Sequence, residues 1–199
     1  MEKFFLEIPS MNRKKDIINY INELEKYNSD TNGCGMLAKI LEGYTFEEAL
    51  EGCIKCQNED YAKKIGRLQS KTLLLIREND NKVVGTINIR QNLDEKKHMF
   101  NGHIGYGIRP TERKKGYSKI NLYLGLMEAQ KLGLNKVLIS CEQSNIPSNK
   151  TLKALGGNHK ISKIDPWDNT LTNIYYFNVN HTLEKYKNTY YQYLSSIKI

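Results

Sequence analysis

A chain of 199 residues with 39% hydrophobic and 26% charged residues has the size and composition of one globular domain, which excludes a fibre, a disordered tail and a multidomain assembly. No run approaches the ~20 apolar residues that span a bilayer, and MEKFFLEIPSMNRKKD turns charged before a signal-peptide core can form, so neither export nor membrane insertion is expected. The net charge of +8 invites a polyanionic partner, but 24 Lys stand against 6 Arg beside 21 Asn, 20 Ile and 13 Tyr, a bias toward A- and T-rich codons that raises charge by itself; with so few bidentate Arg side chains, no nucleic acid partner is expected.

In chain order, Ile17, Ile18, Ile21 and Leu24 recur at spacings of three and four, which predicts an amphipathic helix within residues 11–27. Residues 36–41 and 46–56 are also helical in pattern, broken at Gly43, and Thr45 with Glu48 three residues on has the form of a capping box. Glu42, Glu47, Glu48, Glu51, Glu59 and Asp60 face only Lys55 across residues 42–60, either a solvated helix face or a surface that recognises cations. Residues 72–77 and 82–90 are β-rich and flank Glu78, Asn79, Asp80 and Asn81, which predicts an antiparallel hairpin. In its second strand Gly85, Ile87 and Ile89 alternate with Thr86, Asn88 and Arg90, so one face is expected to be buried and the other available.

A third strand over 103–108 ends at Pro110 and exits into a basic loop, where Arg109, Arg113, Lys114, Lys115 and Lys119 meet the single Glu112. A helix over 114–132 closes at Gly133, a strand follows over 137–141, and Pro147 with Gly156 and Gly157 brackets a short helix. A late strand covers 175–179. Leu183, Tyr186, Tyr190, Leu194 and Ile197 then predict a terminal helix that packs on this chain or on a second copy. Four cysteines without a repeated spacing fit reduced thiols and a cytoplasmic protein. Cys53 and Cys56 have metal-ligand spacing, but no second Cys or His pair follows at a zinc spacing, so no metal is expected. Cys141 reads as a core residue, and Trp167 as an acceptor-pocket wall or a loop anchor.

The chemistry concentrates where a strand runs through Arg113, Lys114, Lys115, Gly116, Tyr117 and Ser118 into a helix. Such a turn presents unpaired N–H groups and the positive end of the helix dipole, and Gly116 lets backbone approach an anion closely. The nucleotide-binding P-loop pattern is absent, and Gly105-Tyr-Gly107 inside a strand is no dinucleotide fingerprint. Residues 103–118, HIGYGIRPTERKKGYS, and 145–156, NIPSNKTLKALG, resemble the two signature segments of the GNAT superfamily of N-acetyltransferases, within a resemblance that covers 72–179 and is similar to a bacterial group of predicted acetyltransferases.

The resemblance implies an α/β (α+β) fold, a mixed and mostly antiparallel central sheet flanked by helices, in one domain over 1–199. A helical acceptor-side region is expected over 1–70, an acetyl-CoA-binding core over 72–179 and a C-terminal helix over 181–199. It implies that the amides of Arg113 through Ser118 hold the CoA pyrophosphate, that Ile108 and Arg109 bond pantetheine through their backbone, that Asn145 contacts the same arm and that Lys150 lies near the adenosine phosphates. Ser118 departs from the family's Gly or Ala. The implied reaction is direct transfer of acetyl from acetyl-CoA to a primary amine, with a small cationic amine suggested by the acidic run. A weakly catalytic CoA-binding module and a transferase for protein N-termini or lysines are the alternatives.

Transfer needs a base for the ammonium, N–H groups on the thioester carbonyl and a proton for the thiolate. His103, where many relatives carry Glu, is the first candidate base, unless it is a histidine bonded within the sheet; Glu142 is the second. Amides near Tyr106 to Ile108 would polarise the carbonyl. The family's usual acid, a Tyr, falls at Leu152. Tyr106, Tyr176, Ser148 or water are the substitutes, although a thiolate with a pKa of only ~8.5 leaves without a strong acid.

Overall fold

The computed structural model describes residues 1–196. Strands β1 (Phe4–Glu7), β2 (Ser70–Arg77), β3 (Lys82–Arg90) and β4 (Ile104–Ile108) form an antiparallel sheet in that order. A second antiparallel sheet has the order β5 (Lys136–Glu142), β7 (Leu171–Asn178), β6 (Asn158–Ile164). The helices are α1 (Lys14–Lys26), α2 (Phe46–Lys55), α3 (Glu59–Lys64), α4 (Tyr117–Lys131), α5 (Ile146–Ala154) and α6 (Val179–Tyr190). This is the mixed, mostly antiparallel α/β architecture expected, with β1, β6 and α3 in addition. Among the described residues no helix is long and apolar enough to cross a membrane.

The β2–β3 hairpin turns through Asn81, whose left-handed backbone (φ 53°) suits a short polar side chain. Leu73, Leu75, Val84 and Ile87 pack with Ile120, Tyr123 and Leu126 of α4. Leu74, Ile76 and Val83 pack on the other side with Ile17, Tyr20, Ile21 and Leu24 of α1 and with Phe46 and Leu50 of α2. The hairpin is therefore buried on both faces, and the face expected to be available is not. Thr86 and Asn88 are buried there because they are satisfied: Thr86 Oγ1 lies 3.2 Å from Tyr20 Oη, and Asn88 Nδ2 donates to Thr72 Oγ1 at 3.0 Å.

α2 begins with the expected capping box, Thr45 Oγ1 accepting from Glu48 N–H while Glu48 accepts from Thr45 N–H. α6 starts before the expected terminal helix and ends at Tyr190; Leu194 then bridges to Phe4 of β1, and the Tyr123 and Tyr190 rings stack at 5.0 Å, so this end packs on its own chain. Ile197 lies outside the described residues.

Hydrogen bonds join the two sheets at His103 and Leu138. His103 N–H donates to Leu138 O (2.7 Å), and Leu138 N–H donates to His103 Nδ1 (3.0 Å). β4 and β5 share no ladder beyond that point, and a cavity opens between them.

Candidate active site

The cavity has a volume of about 780 Å³, within the range of small-molecule sites, and β4 and β5 wall it with Tyr106 and Ile108 on one side and Ile139 and Cys141 on the other. The β3–β4 ladder fixes what β4 presents. Arg109 N–H bonds Val84 O and Arg90 N–H bonds His103 O, so the hydrogen-bonded pairs between them are Thr86–Gly107 and Asn88–Gly105. By the same alternation the backbone groups of Tyr106 and Ile108 point away from β3, to the open edge. Ile108 O there accepts from Arg113 Nε at 3.0 Å.

One end of the cavity reaches the start of α4. Lys114 (φ 64°) and Gly116 (φ 86°) are left-handed, and a Cβ on Gly116 would meet nothing within 4 Å, so the backbone is open to an approaching group. No side chain caps α4, whereas α2, α3, α5 and α6 are each capped by Thr45, Asn58, Asn145 and Asn178. Lys119 N–H turns back to Gly116 O, which leaves the N–H groups of Gly116, Tyr117 and Ser118 without an intrahelical acceptor. Ser118, in the position usual for Gly or Ala, lies with its Oγ 3.0 Å from Thr151 Oγ1 and so ties α4 to α5.

Glu112 supports this loop from below. Burial alone would raise its pKa, but Lys115, Lys82 and Arg77 outweigh that and hold it at about 2. Lys115 is thereby partnered. Arg109 is also redirected: its guanidinium pairs with Glu23 of α1 at 2.6 Å, its N–H is in the β3 ladder and its C=O accepts from Glu112 N–H. Of the backbone groups expected of Arg109, the N–H is taken by β3 and the C=O already holds one bond. Lys114 and Lys119 enter no ion pair among the described residues. Lys150 is exposed on α5 and absent from the cavity wall.

The structure separates the catalytic candidates. His103 is buried just before β4 and outside the cavity wall; with Nδ1 accepting from Leu138 N–H, its proton sits on Nε2, and burial lowers its pKa. Its lone pair is spent joining the sheets, which corrects the expectation of a base there. Glu142, at the end of β5, does face the cavity, as does Asn145, whose Oδ1 caps α5 by accepting from Ser148 N–H at 3.1 Å. Tyr106 Oη lies 3.0 Å from Ser148 Oγ, and burial raises its pKa so that it keeps its proton. Leu152 is fully buried, Tyr176 donates to Glu95 away from the cavity, and burial raises the pKa of Cys141.

The loop after α1 and the β6–β7 turn also wall the cavity. The loop lies directly on β4: a Cβ on Gly107 would stand 2.6 Å from Asn32 O, and one on Gly33 2.7 Å from Tyr106 Cα. This close approach is what the glycines of β4 allow. Asp30, Asp165, Asp168 and Arg90 are among the lining side chains. The acidic run 42–60 does not: Glu47 pairs with Lys14, Glu51 with Lys55 and Glu59 with Lys63 on outward helix faces. Cys53 and Cys56 are buried in the core beside α1, and Trp167 is 87% exposed at the β6–β7 tip, so it anchors nothing.

The fold is similar to that of solved acetyltransferases. The ribosomal-protein-S5-alanine acetyltransferase from Vibrio fischeri has a TM-score of 0.66 at 14% identity, covering 90% of this chain and 95% of that one. The microcin C7 self-immunity acetyltransferase MccE, solved with acetyl-CoA and AMP, has a TM-score of 0.62 at 18% identity, over 88% and 92%. The spermidine N-acetyltransferase from Vibrio cholerae, solved with CoA and spermine, has a TM-score of 0.62 at 12% identity, over 91% and 98%. At these identities the likeness is one of fold. No curated protein matches the chain in sequence. Residues 43–158 match the family described as the Acetyltransferase (GNAT) domain, and the chain belongs to that family. It is thus an N-acetyltransferase that uses acetyl-CoA. The open edge of β4, the roomy cavity and the orphan N–H groups of α4 fit that co-substrate.

Proposed function

We propose that the protein moves acetyl directly from acetyl-CoA to a primary amine held between the loop after α1 and the β6–β7 turn. Bound acetyl-CoA supplies the acetyl group as a thioester. The N–H groups of Gly116, Tyr117 and Ser118 receive its diphosphate, with Lys114 and Lys119 adding charge. The edge N–H groups of Tyr106 and Ile108 polarise the carbonyl, and Asn145 flanks the arm from α5. Glu142 takes the proton of the incoming ammonium, directly or through water, and Tyr106 holds a proton for the departing sulfur beside Ser148.

The observation that carries this reading is one cavity walled both by anion-receptive backbone at the start of α4 and by the carboxylates of Asp30, Asp165 and Asp168. Those carboxylates favour an amine that arrives protonated. The buried Leu152 in place of the family's acid favours a second reading, a module that binds CoA without transfer. A screen of primary amines with free-thiol readout, run beside calorimetric titration of acetyl-CoA, separates the two. Thiol release with at least one amine, reduced in Glu142→Gln, is expected; acetyl-CoA binding without release from any amine supports the module, and no binding defeats both.

A further inference from the structure

Arg90 ends β3 and reaches into the cavity wall. Its Nη1 donates to Asn101 O at 2.8 Å and Gly102 O at 3.1 Å, and its Nε and Nη2 have no partner among the described residues. Its situation differs from that of the other enclosed arginines. Arg13 holds Glu7, Arg77 holds Asp80 and Glu112, and Arg109 holds Glu23, with guanidinium-bearing side chains only 9%, 11% and 12% exposed. Burial, with Arg67 repelling it, lowers the Arg90 pKa to about 10. Part-buried and without a counter-charge among the described residues, this guanidinium is open to an anion that enters the cavity.

The neighbouring backbone shows where such an anion fits. A Cβ on Gly105 would come within 3.5 Å of Arg90 Nη2, so the guanidinium lies against bare β4 backbone, one residue from Tyr106. Asp30, Asp165, Asp168 and Glu142 wall the same cavity, yet none makes an ion pair with Arg90 among the described residues. The cavity wall thus carries a positive pole at Arg90 and a negative one in Asp30, Asp165, Asp168 and Glu142. An acceptor that carries both charges matches both poles, and a plain polyamine leaves Arg90 unmatched.

We infer that Arg90 receives an oxyanion of the acceptor, so that the acceptor is an amine that also bears a carboxylate or phosphate, with the planar guanidinium fork taking that group. The inference rests on the direct-transfer reading above. The test uses matched pairs at fixed acetyl-CoA: each α-amino acid against its carboxamide, and phosphoethanolamine against ethanolamine. In at least one pair the anionic member is expected to have a kcat/KM roughly 10- to 100-fold higher, the worth of a hydrogen bond to a charged group. Arg90→Gln removes that preference through KM, Arg90→Lys keeps part of it, and both bind acetyl-CoA like the parent by calorimetry. Neutral members equal to or better than anionic ones in every pair, or a preference that survives Arg90→Gln, overturn the inference alone. Acetyl-CoA binding without transfer to any amine overturns it together with direct transfer.

Discussion

Gly116 and Gly133 sit at opposite ends of α4 and form a natural matched pair. Both are left-handed, at φ 86° and 80°, and a Cβ added to either meets nothing within 4 Å. Alanine therefore brings only backbone strain at each, about 1–2 kcal/mol, which lowers Tm by about 2–8 °C in a chain of this size. Their consequences for binding diverge. At Gly116 the methyl stands on the exposed side of the loop assigned to the diphosphate, and losing one charge-assisted N–H bond of about 1.5–3 kcal/mol weakens acetyl-CoA binding roughly 10- to 150-fold. Gly133→Ala leaves affinity unchanged while showing the same loss of Tm. Calorimetric titration of acetyl-CoA and differential scanning calorimetry on both variants measure the two effects. Equal affinities in the two variants would refute the assignment of the diphosphate to the start of α4.

Three further outcomes follow from the geometry. Tyr106→Phe keeps acetyl-CoA affinity by calorimetry but lowers kcat roughly 10- to 100-fold, the lower end of general-acid effects because a thiolate leaves easily; an unchanged kcat removes Tyr106 as the proton source. His103→Ala strands the Leu138 N–H and costs about 1–3 kcal/mol in urea unfolding without moving the pH profile of kcat. Because burial depresses the native His103 pKa, the unfolded chain binds the extra proton, so parent stability falls as pH drops below ~6.5, and the slope is smaller in the alanine variant. Glu112→Gln removes the carboxylate shared by Arg77, Lys82 and Lys115 and destabilises by about 2–3 kcal/mol at pH 7, less than a fully buried pair because Arg77 keeps Asp80 and Lys115 is half in water. With a native pKa of about 2 against an ordinary 4.5, that difference is complete above pH 4.5 and fades toward pH 2.

Periodicity made α1 legible because it buries one stripe, whereas the β2–β3 hairpin showed through its turn residues and α4 through its length and Gly133, although both are buried on more than one face. Pro147 and Gly156 bracketed α5 for equally local reasons. β1 was not legible: four residues are too few to show a period, and what holds them is pairing with β2 and the bridge to Leu194. β6 was hidden for the opposite reason, since Asn158–Ile164 is exposed along nearly its whole length and has no buried alternation to display. The site divided in the same way. The anion-receptive turn is a local pattern and could be read directly. Whether His103 is a base or a sheet link depends on Leu138, 35 residues away, and whether the Arg109 N–H is available depends on its pairing with Val84 in another strand. The acidic run drew attention by density along the chain, whereas Asp30, Asp165 and Asp168 come to line one cavity only after folding. Arg90 gave one available sign, its basic side chain in a strand otherwise built for burial.

A crystal structure of the protein grown with CoA tests the central claim most directly. Diphosphate density against the N–H groups of Gly116, Tyr117 and Ser118, with the pantetheine arm lying between β4 and β5, is the expected result. CoA density elsewhere on the molecule, with the space between those strands empty of it, would contradict the claim.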